Sequence, residues 1–137
     1  MAQEVSEQPR QCSAIEPLNG KVLVVDDDER FRVLARAILE PAGFEVIESE
    51  GIEHCMMQLR YHAVDAVILD MVMPGRDGIE AVRELKELFP EIRIVAVSGA
   101  EQSDLYLSVS AHLGADASLE KARVSALGPL LQLVLDR

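Results

Sequence analysis

The sequence predicts a doubly wound α/β domain built on a five-stranded parallel sheet. Three observations carry that expectation. Short apolar runs alternate five times with segments of helical periodicity, the pattern of parallel strands joined by right-handed crossovers. Three of the runs, "KVLVV", "DAVILD" and "IRIVAVS", are apolar on both faces, as central parallel strands are. The chain has 137 residues, 49% of them hydrophobic, which suits one globular domain with a real core.

The elements follow in order. Residues 1–19 are polar, carry Pro9 and Pro17 and show no periodicity, so they are expected to form a mobile N-terminal extension to a domain over 20–137. "KVLVV" is the first strand. "ERFRVLARAILE" places Phe31, Leu34, Ala35, Ile38 and Leu39 at helical spacing, and Pro41 and Gly43 stop it. "FEVIES" is the second strand. "IEHCMMQLRYH" is a helix with Ile52, Cys55, Met56 and Leu59 on one face. "DAVILD" is the third strand, and a Met-Pro-Gly turn follows it. "GIEAVRELKELF" is a helix ended by Pro90, and "IRIVAVS" is the fourth strand. "SDLYLSVSAHL" turns Leu105, Val109 and Leu113 inward and ends at Gly114. "DASLE" is a short fifth strand and "GPLLQLVLD" the last helix. Leu127, Leu131, Val134 and Leu135 form its packing stripe, while Leu130 and Leu133 lie outside the stripe's centre.

Composition excludes some function classes. The net charge is −11 and no Lys/Arg run occurs, so no direct nucleic-acid partner is expected. No apolar run approaches the roughly 18 residues of a membrane span. The N-terminus lacks the apolar centre of a signal peptide, and the protein is expected in the cytoplasm. Cys12 and Cys55 have no metal-ligand spacing. Cys55 falls in a helical pattern and reads as core.

Open parallel sheets bind ligands at the carboxyl ends of their strands, where strand order reverses. Here the first strand ends in Asp26, Asp27 and Asp28, the third in Asp70 and the fourth in Ser98, and Lys121 follows the fifth. Each residue also has an ordinary role. Asp27 or Asp28 suits a helix cap, Asp70 an Asx turn, Ser98 a loop and Lys121 a solvated surface. Their convergence on one sheet edge is the signal. Asp26, Asp27 and Asp70 repel one another and call for a cation, and an all-oxygen set with few carboxylates suits Mg2+. The Val72 carbonyl, two residues beyond Asp70, is a further ligand. Asp70 is then a carboxylate nucleophile for a phosphoryl group, with Ser98 and Lys121 on the phosphoryl oxygens.

At these residues the sequence resembles the receiver domains of two-component response regulators. The resemblance covers residues 21–135 and rests on "VLVVDDD", "VILDMVMPGRDG", "IRIVAVSGA" and "GADASLEK", in order. It implies a flavodoxin-like (βα)5 fold with strand order 2-1-3-4-5. It also implies Asp70 as phosphoacceptor and Asp26 and Asp27 as the Mg2+-holding pair. Ser98 would be the hydroxyl that follows the phosphoryl group, and Lys121 the lysine that contacts it. The implied partner is a histidine kinase or phosphotransfer protein. Three features depart from the family pattern. Ala122 stands where a proline with a cis bond is usual. A cis bond before a non-proline costs about 2.5–4 kcal/mol, which leaves open a trans bond and a rearranged loop. Ser118 stands where an aromatic rotor is frequent. No output segment follows the last helix before Arg137.

Two other readings compete. A haloacid-dehalogenase-type phosphohydrolase would use Asp26 and Asp28, but that reading gives Asp70 no role and finds no acidic pair after Lys121. A pseudo-receiver would keep the fold as a binding module without phosphorylation. The apolar breadth of the last helix adds a candidate homodimer surface through the fourth and fifth helices.

Overall fold

Each predicted strand joins one sheet. The structure is a computed structural model that describes residues 19–99 and 103–136. Its first half runs β1 (Gly20–Val25), α1 (Glu29–Leu39), β2 (Phe44–Ser49), α2 (Ile52–Tyr61) and β3 (Ala66–Asp70). A small hairpin follows, β4 (Val72–Met73) and β5 (Arg76–Asp77), then α3 (Gly78–Leu88) and β6 (Arg93–Ser98). The chain continues through α4 (Ser103–His112), β7 (Ala117–Glu120), a 3-10 stretch (Lys121–Ala126) and α5 (Leu127–Leu135). The main sheet has the order β2-β1-β3-β6-β7 with every pair parallel. With the hairpin set aside, this is the expected order 2-1-3-4-5. Strand order reverses between β1 and β3, which fixes where the site forms.

Alternation along the strands divides the core in two, because successive strand residues point to opposite faces. Leu23, Val25, Val67, Leu69, Ile94 and Ala96 pack with Ile52, Cys55 and Leu59 of α2 and Ala81, Val82 and Leu85 of α3. Val22, Val24, Ala66, Ile68, Val95 and Val97 pack with Phe31, Ala35 and Leu39 of α1 and Leu127, Leu131 and Val134 of α5. Cys55 is core, as expected, and burial pushes its thiol up to about 12. Leu34 differs from expectation and is 47% exposed. The buried face of α1 is the narrow i, i+4 row Phe31–Ala35–Leu39, and Leu34 lies beside it. Of the expected extension over residues 1–19, only Asn19 is described; residues 1–18, with Cys12, and the side chain of Leu105, expected to point inward, fall outside the described residues.

The Met-Pro-Gly turn forms, and its flanks pair. Gly75 has φ +80°, the conformation a type II turn needs after a proline, so Val72 aligns with Asp77 and Met73 with Arg76. Two-residue strands are too short to leave a periodic signal, so the sequence showed only the turn.

Candidate functional site

Val25 pairs with Leu69 in register, so Asp26 and Asp70 leave adjacent strands at the same level. Both are buried, whereas Asp27 is exposed. One carboxylate oxygen from each of the three lies within 4.8 Å of the others. Asp28 takes the capping role that the sequence left open between two residues: its side chain accepts from Arg30 N at 2.9 Å and starts α1. Asp27 is thereby spared for the cluster with Asp26 and Asp70.

Lys121 offsets part of the cluster's negative charge. Its Nζ lies 2.6 Å from Asp26 Oδ2 and donates to Asp70 Oδ2 at 3.4 Å. Burial pulls the ammonium down, but the Asp26 and Asp70 carboxylates outweigh it and hold its pKa above the ordinary lysine value. Asp70 Oδ1 accepts from Val72 N at 3.2 Å, the Asx turn expected as its ordinary role. Asp70 therefore opens a turn and faces the cluster at once. Burial first, and the neighbouring Asp26 charge second, push its carboxyl up to about 7, against the opposing pull of the Val72 N–H and Lys121. Ser98 is fully buried at the end of β6. Asp70 pairs with Val97 and Ser98 with Glu120, which sets Ser98 between the strand ends that carry Asp70 and Lys121. Its hydroxyl donates to Gly99 O at 3.3 Å.

The donor set fits Mg2+. It consists of oxygens alone, the ligands a small hard cation selects. Asp26 Oδ2 is also buried without an aligned hydrogen-bond donor, its contact with Lys121 being ionic.

Several supporting residues escaped the sequence reading. Arg32 donates through Nη1 to the Asp26 carbonyl at 2.6 Å and through Nε to Glu48 at 3.0 Å. Arg36 binds the same carboxylate at 2.8 Å, and Arg36 foremost holds Glu48 below the usual carboxylate range. Nothing in the sequence signals a pairing across 16 residues and two elements. Gly78 did carry a signal, since glycine is a poor opening for a helix unless backbone must approach closely. A Cβ at Gly78 would collide with the backbone of Met71, the residue after Asp70, at 2.7 Å from its carbonyl carbon. Phe31, expected only as core, lies with its ring under Lys121.

Residues 22–127 match the family described as the response regulator receiver domain. The chain is 33% identical over 88 residues to chemotaxis protein CheY of Bacillus subtilis (strain 168), covering 64% of this chain and 73% of that protein. It is 34% identical over 100 residues to the KDP operon transcriptional regulatory protein KdpE of Escherichia coli (strain K12), 73% of this chain but 44% of that longer protein. Among solved structures, a response regulator from Thermotoga maritima superposes with a TM-score of 0.78 at 26% identity, covering 88% of this chain and all of that one. A match over most of the chain, with relatives one third identical and the same fold, places the protein: it belongs to the response regulator receiver domains.

Proposed function

We propose that the chain is the phosphoacceptor module of a two-component or phosphorelay system, phosphorylated on Asp70 by a histidine kinase or phosphotransfer protein. The observation that carries this reading is the buried Asp70 carboxylate at the reversal of strand order, flanked by Asp26 and Lys121. An Asp70 oxygen attacks phosphorus as the bond from phosphorus to the donor's imidazole nitrogen breaks, and the electron pair leaves with the imidazole. Lys121 and Ser98 stabilise charge on the phosphoryl oxygens. Asp26, Asp27, Asp70 and the Val72 carbonyl hold Mg2+, which supplies neutralisation of phosphoryl charge when bound. The chain promotes only its own phosphorylation and dephosphorylation. We place the receiver at 20–137 in the cytoplasm, with 1–19 as an extension.

Acetyl phosphate with Mg2+ is expected to add one phosphate to the wild type and none to Asp70→Asn, read by intact mass. Removal of Mg2+ should abolish the gain. A wild type that gains no phosphate, or an equal gain in both proteins, would overturn the assignment. The first result leaves the pseudo-receiver reading.

Output is proposed to run through α4 and α5, with a second copy or a target docking there. Leu133 is 65% exposed on α5, whereas Leu130 is half-buried against the core. Leu133→Glu is therefore the cleaner probe. It should weaken phosphorylation-dependent self-association in sedimentation while leaving Asp70 phosphorylation intact. Unchanged association would remove Leu133 from the interface.

A further inference from the structure

Lys121 must hold its ammonium between two buried carboxylates, yet the backbone around it offers few anchors. The 3-10 stretch beginning at Lys121 has no side-chain cap, and its φ/ψ leave the helical region at Arg123. Ala122, Arg123, Ser125 and Ala126 are exposed, and only Val124 is half-buried. All peptide bonds among the described residues are trans, so the Lys121–Ala122 link lacks the cis proline common in the family. The side chain, rather than the chain path, has to fix the charge. One contact is well placed to do so. Phe31 is 7% exposed, held in the core between α1 and the sheet. The Lys121 Nζ lies 4.8 Å from the centroid of its ring, inside the roughly 6 Å range of a cation–π contact. Phe31 sits on the first turn of α1, which the Asp28 cap anchors. The ring is therefore a rigid wall attached to the loop that carries Asp26 and Asp27.

We infer that Phe31 is a positioning residue: its ring face holds the Lys121 ammonium in line with Asp26 and Asp70. The role in phosphorylation rests on the function proposed above, whereas the contact does not. Carboxylates alone would draw the ammonium toward whichever oxygen is nearer, Asp26 Oδ2 at 2.6 Å against Asp70 Oδ2 at 3.4 Å. A third attraction from the ring is directional, because the quadrupole favours a cation over the face. It also survives when Asp26 turns to a metal ion, so Lys121 keeps one anchor while the phosphoryl group arrives.

The test uses Phe31→Leu and Phe31→Met, which remove the ring but fill the site with apolar atoms, and Phe31→Tyr, which restores it. Two quantities are read on the full chain, with melting temperature followed for each variant. The first is the NMR shift of the Lys121 ε-methylene protons, which a ring face moves upfield. The second is the rate of Asp70 phosphorylation by acetyl phosphate with Mg2+. The upfield shift should be present in wild type and Phe31→Tyr and lost in Phe31→Leu and Phe31→Met. The rate should fall about three- to tenfold without the ring, the range a partly desolvated cation–ring contact supports, and recover in Phe31→Tyr. Equal shifts and rates in all four proteins would overturn the proposal. So would a rate that falls in Phe31→Leu and is not restored by Phe31→Tyr, since volume rather than the ring would then be at work. A wild type that takes no phosphate defeats the proposed function, and the proton shift alone then decides the contact.

Discussion

Asp70 closes β3 and Lys121 opens the stretch after β7, but only the loop beyond Asp70 is fixed through its backbone. Met71 and Met73 are buried, the hairpin pairs Val72 with Asp77, and Gly78 lets the start of α3 lie directly on the Met71 backbone. Beyond β7 the chain instead passes through mostly exposed 3-10 residues, and Lys121 is located by what its side chain touches. A nucleophile that must meet phosphorus in line gains from a rigid mount. A counter-ion that must follow a changing charge is better held by a long side chain, whose ammonium can shift without moving the backbone.

The sharpest way to break this contrast is one methyl group. Gly78→Ala should be the largest effect, about 3 kcal/mol of stability, because backbone rather than a side chain has to move. Melting should fall on the order of 10 °C, with slower Asp70 phosphorylation. A melting temperature within a degree or two of wild type would show that the Asp70 loop is softer than its packing. Lys121→Met comes next. Removing one member of a buried charge cluster costs about 3–5 kcal/mol, and the 23% exposure of the lysine side chain lowers the expectation to about 2 kcal/mol in urea titrations at pH 8 without metal. Mg2+ should recover most of that loss by taking over the carboxylate charge. No recovery would separate Lys121 from the metal-binding carboxylates.

The pH dependence sharpens the same point in the metal-free protein. Asp70 titrates at about 7 in the fold against about 3.8 in the unfolded chain, so folding takes up a proton between those values. Its contribution to stability is fully present below pH 3.8, is lost progressively as pH rises to about 7, and is flat above. Subtracting the profile of Asp70→Asn isolates this slope. A difference that stays level from pH 4 to 7 would mean that the carboxyl is not raised. The smallest effect is expected at the exposed Ala122. Ala122→Gly should cost less than about 1 kcal/mol by thermal or urea melting and leave phosphorylation unchanged, in direct contrast to the same atom count at Gly78.

The β3 side of the site was more legible than the β7 side. "VILDMVMPGRDG" places a strand end, an acid, a turn and a helix start within twelve residues, and every one of them forms. The lysine loop left only a residue type and a position, since "KARVSA" has no periodicity for a 3-10 stretch to announce. Leu34 looked like core because spacing marks a stripe but not its width.

The sequence by itself determined the alternation of strands and helices, the two-faced core and the residues that end each strand. These depend on local periodicity and on where apolar runs stop, which a chain carries in one dimension. Tertiary structure alone decided that Asp28 caps while Asp26 and Asp27 face the cluster, that Arg32 joins the Asp26 carbonyl to Glu48, and that Phe31 lies under Lys121. The cap is a local choice between two neighbouring acids, whereas Arg32–Glu48 and Phe31–Lys121 join residues far apart in the chain. Their partners are set by strand register and helix rotation, and no local pattern records these before the sheet has closed the distance between them.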